Sequence, residues 1–409
     1  MVKLYTKITK CRISNDKKLI KVCDFGNIKL TGVFPKNRKK KIKSTPLQVV
    51  FSNKSKLLQL NHNYNFSELF GMNYGYRSGL NQSMVNHLRD KKFKLDKRLK
   101  LQKKDSILDI GSNDGTFLKL FSKSINRIGC DPTAKKFKKF YPKSIKVFPK
   151  LFNQQSSKFI KGKFKLISCI AMFYDLSNPT EFLKLIEKKI EKNGIFHVEI
   201  AYLPLIYKTF SFDTFCQEHL TYYSFKSFEN LIKNTNLKIL DYEINSINGG
   251  SINFNLSLKN SKNKVHSKKL EKLRNFEKKN HYNNIKFVKT FFKKVKKNIN
   301  KIRKNIKSLN GDVYGFGAST KGNVTLQLCN LNENDIKQIY DINKNKFNCY
   351  TPGSKIKIVN EKNIIKEKTK YLIFLIWHFK KTIFQKIKKL KLRNTRFIWL
   401  FPNYKVTNK

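Results

Sequence analysis

Short apolar runs recur along the chain at residues 107–110, 127–130, 165–176, 195–203, 312–316, 338–343 and 371–377. Runs of this length bounded by turn residues read as buried strands, and their alternation with helical spacing predicts parallel sheets wound on both faces. Helices are predicted over 116–122 and over 179–191, the second stopped by Asn193-Gly194. Between 262 and 308, Leu270, Leu273, Phe276, Ile285, Val288, Phe291 and Phe292 recur at helical intervals with a break near 280–284. That pattern predicts a helical hairpin or long connector whose lysines are solvated. Residues 1–81 differ, with short alternating strands, a Gly/Pro turn at 24–35 and a basic run at 36–43. The fold expected is α/β, in three domains: 1–84, small and β-rich; 85–259, a doubly wound sheet; and 260–409, a second Rossmann-like α/β unit.

Residues 105–132 concentrate the first chemistry. A strand runs into the turn Gly111-Ser112-Asn113-Asp114-Gly115, and a second strand ends in Asp131, about twenty residues after the first. Glycine lets a backbone approach a ligand closely, and an acid at the end of the second strand can bind both hydroxyls of a ribose. The spacing is not that of a pyrophosphate-binding dinucleotide fingerprint. It resembles motif I and the ribose acid of class I S-adenosylmethionine methyltransferases. The strand at 165–176 ends in Met172-Phe173-Tyr174-Asp175, without the Asn/Asp-Pro-Pro-Tyr tetrapeptide typical of enzymes that methylate base amines. A second focus is 212–224, where Glu218 and His219 are followed by Tyr222 and Tyr223. Histidine has the unperturbed pKa best suited to removing a proton near neutrality. A third focus is the turn 317–323, GASTKGN, between a strand and a helix. Backbone N–H groups at a helix start, with a lysine among them, suit a phosphate.

Charge changes the picture less than its size suggests. Lys and Arg number 87 against 27 Asp and Glu, a formal net charge of +60. The lysines are spread along the whole chain among many Asn, Ile and Phe, as a genome-wide codon bias would spread them. The charge reads as a solvated surface that suits an anionic substrate, and specific nucleic-acid binding is not expected. Seven scattered cysteines make no disulfide framework. There is no signal-peptide core, and the most apolar run, nine residues at 371–379, is too short to span a bilayer. A soluble, cytoplasmic enzyme without membrane association is expected. Cys11-x-x-Ser14 and Ser52-x-x-Ser55 stand where two Cys-x-x-Cys knuckles would build a structural zinc site, yet Cys11 is the only thiol among the four. Hydroxyls are poor zinc ligands, so no metal is expected.

Taken in order, these pieces resemble the sugar C-methyltransferases that act on nucleotide-linked deoxyketosugars, and the resemblance covers almost the whole chain. The carrying motifs are the turn at 24–35, Tyr74-Gly75-Tyr76-Arg77-Ser78-Gly79, DIGSNDG at 109–115 and FYDL at 173–176. EHLTYYS at 218–224, NGGS at 248–251, GFGASTKGN at 315–323 and Pro352-Gly353 complete them. The resemblance implies a degenerate zinc-binding domain, a methyltransferase core and a Rossmann-like C-terminal domain. It implies S-adenosylmethionine held by Asp109, Gly111, Asn113, Gly115, Asp131 and Phe173, and a nucleotide-diphosphate sugar as partner, held by Gly317, Lys321 and Asn323. His219 would take the proton beside a ketone, Glu218 would orient its ring, and Tyr222 and Tyr76 would hydrogen-bond the enolate oxygen. Gln217 and His378 depart from the family, whose members often carry His or Asp at the first position and Asn at the second. O-methylation of a sugar, or a non-catalytic sugar-nucleotide or RNA-binding role, are the competing readings. The nucleotide, the sugar, the carbon methylated and the oligomeric state are left open by the sequence.

Overall fold

A computed structural model describes residues 3–70, 75–366, 369–390, 392 and 394–408. Tyr74 of the first-domain motif lies outside the described residues. The N-terminal part holds strands β1 (Tyr5–Lys7), β2 (Leu19–Lys29), β3 (Ser44–Ser52), β4 (Leu58–Leu60) and β5 (His62–Tyr64). The next seven are β6 (Ser106–Ile110), β7 (Asn126–Cys130), β8 (Ile145–Phe148), β9 (Phe164–Ile170), β10 (Ile190–Ala201), β11 (Thr221–Tyr222) and β12 (Leu237–Asn245). β13 (Ser251–Leu258) precedes the C-terminal set: β14 (Val313–Phe316), β15 (Gln338–Asp341), β16 (Lys357–Asn360), β17 (Tyr371–Phe374), β18 (Arg396–Trp399) and β19 (Lys405–Thr407).

The central sheet runs β12-β13-β10-β9-β6-β7-β8, parallel except for β13, which lies antiparallel between β10 and β12. The C-terminal sheet runs β16-β15-β14-β17-β18-β19, parallel up to its last strand. Among its parallel strands each sheet reverses its order at one point, at β6 in the first and β14 in the second. Such switch points open a crevice beyond the strands' carboxyl ends, which is where ligands bind in sheets of this kind.

The N-terminal sheet runs β11-β4-β3-β2, so the two-residue β11, just past Glu218 and His219, completes a sheet begun in the first domain. The long helix Ile285–Lys307 buries Val288, Phe291, Phe292, Val295, Ile299, Ile302 and Ile306 along one stripe and leaves its lysines outside. This stripe packs onto a cluster reaching from Cys23 of β2 through Phe215 to Phe401, so the first and last parts of the chain share one core. The break in the hairpin falls at residues 280–284 as expected, with Asn284 capping the second helix through Lys286 N.

Two local expectations change. The helix predicted over 116–122 is a single turn, Leu118–Leu120, which buries Phe117, Leu118 and Phe121 and leaves Lys119 in solvent. Asn193-Gly194 is no helix stop: the helix ends at Lys189 and β10 starts at Ile190. A register shift carries the strand through residues 191–194. A Cβ on Gly194 would stand 2.8 Å from the Phe164 carbonyl, so the shift needs glycine there. Among the described residues, no helix is long and apolar enough to cross a membrane.

Candidate functional site

The crevice after β6 is a lined cleft. Gly111 turns the chain with φ near +80°, and a Cβ there would meet Met172 Cβ at 3.0 Å, so the two loops approach closely only because the side chain is missing. Asp131, at the end of β7, reaches back over the turn. Its Oδ2 accepts from Asn113 N at 2.8 Å, and its Oδ1 accepts from Thr133 N and Oγ1, both at 2.6 Å. Of about four acceptor positions on a carboxylate, one stays open. Asp109 accepts from Ser168 Oγ at 2.7 Å, and burial pushes its carboxyl up to about 7. Asp109, Gly111, Ser112, Asn113 and Asp131 form one wall, Ala171, Met172 and Asp175 the facing one, and Leu151 and Phe152 an apolar end. Asp175 Oδ1 is buried without a protein partner. Acceptors, a glycine-lined approach and a flat apolar end fit a ligand that combines ribose hydroxyls, a base and a cationic methionyl part. S-adenosylmethionine is such a ligand.

Three residues expected in that role do other work. Phe173 is fully buried and packs edge-on against Phe182 and Phe228, because the turn Phe173–Asp175 aims its ring into the core and Asp175 into the cleft. Gly115 makes room for Tyr141, whose ring a Cβ would approach to 2.7 Å and whose hydroxyl donates to Asn113 O at 2.8 Å. Asn113 lines the cleft, but its side chain serves the first domain: Oδ1 accepts from Ser78 N at 2.9 Å and Nδ2 donates to Tyr76 O at 3.4 Å. The segment carrying Tyr76 and Ser78 is thereby pinned across the cleft, and both residues line it.

Next to the cleft stands the loop that ends in His219. Leu220 N and Thr221 Oγ1 both donate to Tyr174 O, at 2.9 and 3.1 Å, which ties the loop to the turn Phe173–Asp175 that carries Asp175 into the cleft. The His219 ring lies edge-on to Tyr174, with centroids 4.7 Å apart. Its Nδ1 is 2.8 Å from the Thr214 carbonyl oxygen. A carbonyl can only accept, so Nδ1 carries the hydrogen and Nε2 is left with its lone pair. Burial, with a smaller contribution from the Lys321 charge, pushes the imidazole down to about 4, so the ring is neutral at pH 7.

The expected roles of Glu218 and Tyr222 are not what the geometry gives. Glu218 points away from the ring, into a space made by Gly32, where a Cβ would come within 2.4 Å of its Oε1. That oxygen has no partner, and burial pushes the carboxyl up to about 7. The orienting bond comes from Thr214 instead. Tyr222 is 1% exposed and packs on Phe215 at 4.5 Å, with its hydroxyl unpartnered, because pairing of β11 with β4 turns it into the shared core. Gln217 donates to Ile28 O at 3.3 Å and Thr45 Oγ1 at 3.2 Å and accepts from Thr31 Oγ1 at 3.4 Å. A buried neutral amide at this position is fully used in docking the first domain.

The turn 317–323 is largely filled by protein groups. Ala318 N donates to Asp341 Oδ2 at 2.7 Å and Gly322 N to the cap Ser319 Oγ at 2.9 Å. Gly317 has φ near +87°, and a Cβ there would stand 2.5 Å from Ile376. Lys321 Nζ donates to Thr214 Oγ1 at 3.0 Å and Asn248 O at 2.7 Å. Asn323 is buried and donates to Thr31 O at 2.7 Å, so it faces the first domain and presents nothing to a phosphate. Neither Asp341 nor Thr214 stood out in the sequence. A lone acid in a turn-like YDIN segment, and a backbone carbonyl, carry no pattern.

The four knuckle positions do converge. Cys11 Sγ is 3.1 Å from Ser55 Oγ, and Ser55 N donates to Ser52 Oγ at 3.3 Å. Burial pushes the Cys11 thiol up, but hydrogen bonding from Ser55 and from the backbone at Ile13 and Ser14 helps hold the thiol below its usual range. One sulfur and three hydroxyls do not fit zinc. Among the described residues, no group of three or more His, Cys, Asp or Glu could hold a metal ion.

Comparison with known proteins covers nearly the whole chain. Residues 11–70 match a zinc binding domain family, 84–242 the methyltransferase domain family, and 246–402 the C-methyltransferase C-terminal domain family. The C-methyltransferase NovU of Streptomyces niveus is 25% identical over 408 residues, which span 98% of this chain and 97% of that one. Among solved structures, an S-adenosylmethionine-dependent methyltransferase from Clostridium acetobutylicum is 17% identical, over 42% of this chain and 92% of its own, with a TM-score of 0.33. The plantazolicin methyltransferase BpumL, solved with S-adenosylhomocysteine, is 13% identical over 44% and 87%, with a TM-score of 0.35.

Proposed function

Because this chain belongs to the C-methyltransferases, and is an S-adenosylmethionine-dependent enzyme, we propose that it methylates the carbon beside a ketone in a nucleotide-linked deoxyketosugar. His219 is the base in this reading. The observation that carries it is the Nδ1 bond to the Thr214 carbonyl, which leaves a neutral imidazole with a lone pair on Nε2, its ring against Tyr174 in the turn Phe173–Asp175 that follows β9.

The chain's own groups divide the work. A ketone acidifies the neighbouring C–H, and His219 Nε2 takes that proton as the enolate forms. The Thr214 carbonyl, already bonded to Nδ1–H, steadies the positive charge that the ring then carries. The Tyr76 phenol, in the cleft lining, donates to the enolate oxygen. Asp109, Asp131 and the Gly111 turn hold the methyl donor, whose sulfonium supplies an electrophilic carbon when bound. Nothing but placement is then required for the carbanion to take the methyl. The domain limits 1–84, 85–259 and 260–409 are part of the same reading.

That the Streptomyces niveus relative is a C-methyltransferase supports carbon over oxygen as the methylated atom. The test is incubation with methyl-labelled donor and a panel of nucleotide-4-keto-6-deoxysugars, followed by NMR of the product. A C–CH₃ signal, together with exchange of the sugar's α-proton that His219→Ala abolishes, is the expected result. His219→Ala should keep donor binding and lose roughly 10²–10⁴-fold in turnover. A product bearing O–CH₃, with no α-proton exchange in the unmodified enzyme, would replace this reading by sugar O-methylation.

A further inference from the structure

The loop that carries His219 belongs to the central domain, yet two side chains of the C-terminal domain grip it. Trp377 Nε1, just past β17, donates to Asp213 Oδ2 at 2.8 Å. Lys321, in the first turn of the helix Thr320–Leu328, donates from Nζ to Thr214 Oγ1 at 3.0 Å. The same ammonium donates to Asn248 O at 2.7 Å, so it bridges two separate loops of the central domain. Asp213 is fully buried with Oδ1 unpartnered, and the Lys321 charge partly offsets the effect of burial on it. Thr214 therefore has two bonds with different jobs: its hydroxyl is held by Lys321, and its carbonyl takes the hydrogen of His219 Nδ1.

We propose that Lys321 is a positioning residue for His219: by fixing Thr214 from the neighbouring domain, it sets the tautomer and direction of the base. The proposal rests on the reading of His219 as the base. A lysine in a glycine-bounded turn at a helix start would ordinarily be taken for a phosphate ligand. Here two of its three hydrogens are already spent on protein acceptors, and two backbone N–H groups of the turn are taken as well, Ala318 N by Asp341 and Gly322 N by Ser319 Oγ. The arrangement also makes the base conditional on domain contact, because the acceptor of the His219 Nδ1 hydrogen is held in place by the C-terminal domain.

Three variants of the full chain test this: Lys321→Ala, Thr214→Val and the two together. Thr214→Val keeps the shape and the carbonyl and removes only the acceptor hydroxyl. Each single change should lower turnover by about 10- to 100-fold, with the acceptor's KM changed less than about 2-fold, as expected when a reacting group is misplaced. The double variant should be no worse than Lys321→Ala, since both remove one link. In ¹⁵N-histidine NMR, the unmodified protein should show His219 protonated on Nδ1, and both single variants a mixture of tautomers. Lys321→Arg should restore part of the turnover. A raised KM with unchanged turnover in Lys321→Ala, together with a silent Thr214→Val, would overturn the proposal and make Lys321 a substrate ligand. An unchanged tautomer in both variants would overturn it as well. Should Lys321→Ala fail to fold, Thr214→Val decides, because it leaves the Lys321–Asn248 bond intact. The NMR readout needs no substrate. A tautomer shift in a protein whose His219→Ala variant is fully active would keep the positioning role and sink the assignment of the base.

Discussion

The central and C-terminal sheets carry the same device and use it for opposite ends. In each, a strand at the switch point runs into a glycine of positive φ, Gly111 or Gly317, packed against the loop after the next strand, at Met172 or Ile376. In each, an acid at the end of the neighbouring strand reaches back to a backbone N–H of that turn, Asp131 to Asn113 and Asp341 to Ala318, at 2.8 and 2.7 Å. Each acid also caps its own turn, through Thr133 N and Asn343 N. The difference lies in what stands opposite. Around Gly111 the wall leaves an acceptor position open on Asp131 and a cleft beside it. Around Gly317, Ile376 packs against the turn, Lys346 Nζ donates to Ala318 O at 2.6 Å, and Lys321 and Trp377 turn outward to the loop that carries His219. A nucleotide-binding scaffold can thus be kept for its rigidity while its crevice becomes a contact between domains.

The largest effect should separate the two acids. Asp131→Ala removes charge-assisted acceptors from the donor and the turn and should cost about 2–4 kcal/mol in affinity for S-adenosylhomocysteine. Asp341→Ala should leave that affinity unchanged in the same calorimetric titration. Equal losses would mean that the second sheet also takes part in donor binding, and the comparison would break.

Glu218 supplies a carboxyl with no turn to hold. Its folded pKa, near 7, lies above the 4.5 of an ordinary glutamate because of burial. The folded state therefore binds the proton more tightly, and this group's penalty grows as pH rises from about 4.5 to 7. Glu218→Gln should remove a decline of up to about 3 kcal/mol across that window and leave stability at pH 4 nearly unchanged. Denaturant melts at pH 4.5 and pH 8 measure it. An identical pH dependence in both proteins would place the charge of Glu218 in contact with water.

A smaller effect distinguishes the glycines. Gly317→Ala, with Ile376 at 2.5 Å, should lower stability by about 1–2 kcal/mol. Gly111→Ala, whose new Cβ would stand 3.0 Å from Met172 Cβ, a looser contact than that at Gly317, should cost less stability and show mainly in donor affinity. Thermal melts with and without S-adenosylhomocysteine would reveal the reverse order if the crevices are misread. The smallest effect concerns the first domain. Prolonged exposure to a strong chelator should not move its melting temperature, and elemental analysis should find well under one zinc per chain, because hydroxyls hold the knuckles. A chelator-induced loss of folding would point to other ligands.

The amino-acid pattern carried the three-part α/β architecture, the glycine turn with its distant acid and the break in the helical pair. Each depends on local spacing, which a chain displays directly. The pattern could not say which way neighbours face. Glu218 and His219 are adjacent, yet one meets Gly32 of the first domain and the other Tyr174. Phe173 and Asp175 are two apart, and only the second reaches the cleft. Long-range ties were equally silent. Glu199 is buried with His87 at 2.7 Å and Lys91 at 3.4 Å, a network drawn from elements far apart in sequence that no motif announces. Asn323, read as part of a phosphate turn, pairs with Thr31 because the first and third domains share a core.

That shared core has a consequence for how the chain is made. The outer edge of β2 is met by one side chain: Gln327 accepts from Lys29 N at 2.7 Å and donates to Lys29 O at 3.3 Å, a glutamine acting as a one-residue strand. Tyr350 N donates to Pro35 O at 2.8 Å nearby. The partners in the glutamine pair are 298 residues apart. At a synthesis rate of roughly 5–20 residues per second, the first sheet leaves the ribosome about 15–60 s before its partner exists. Throughout that interval its outer edge at Lys29 lacks its partner, while the apolar face around Cys23 and Phe51 is covered in stages, by residues 203–222 and then by the helix Ile285–Lys307. The sheet built first is the last to be finished.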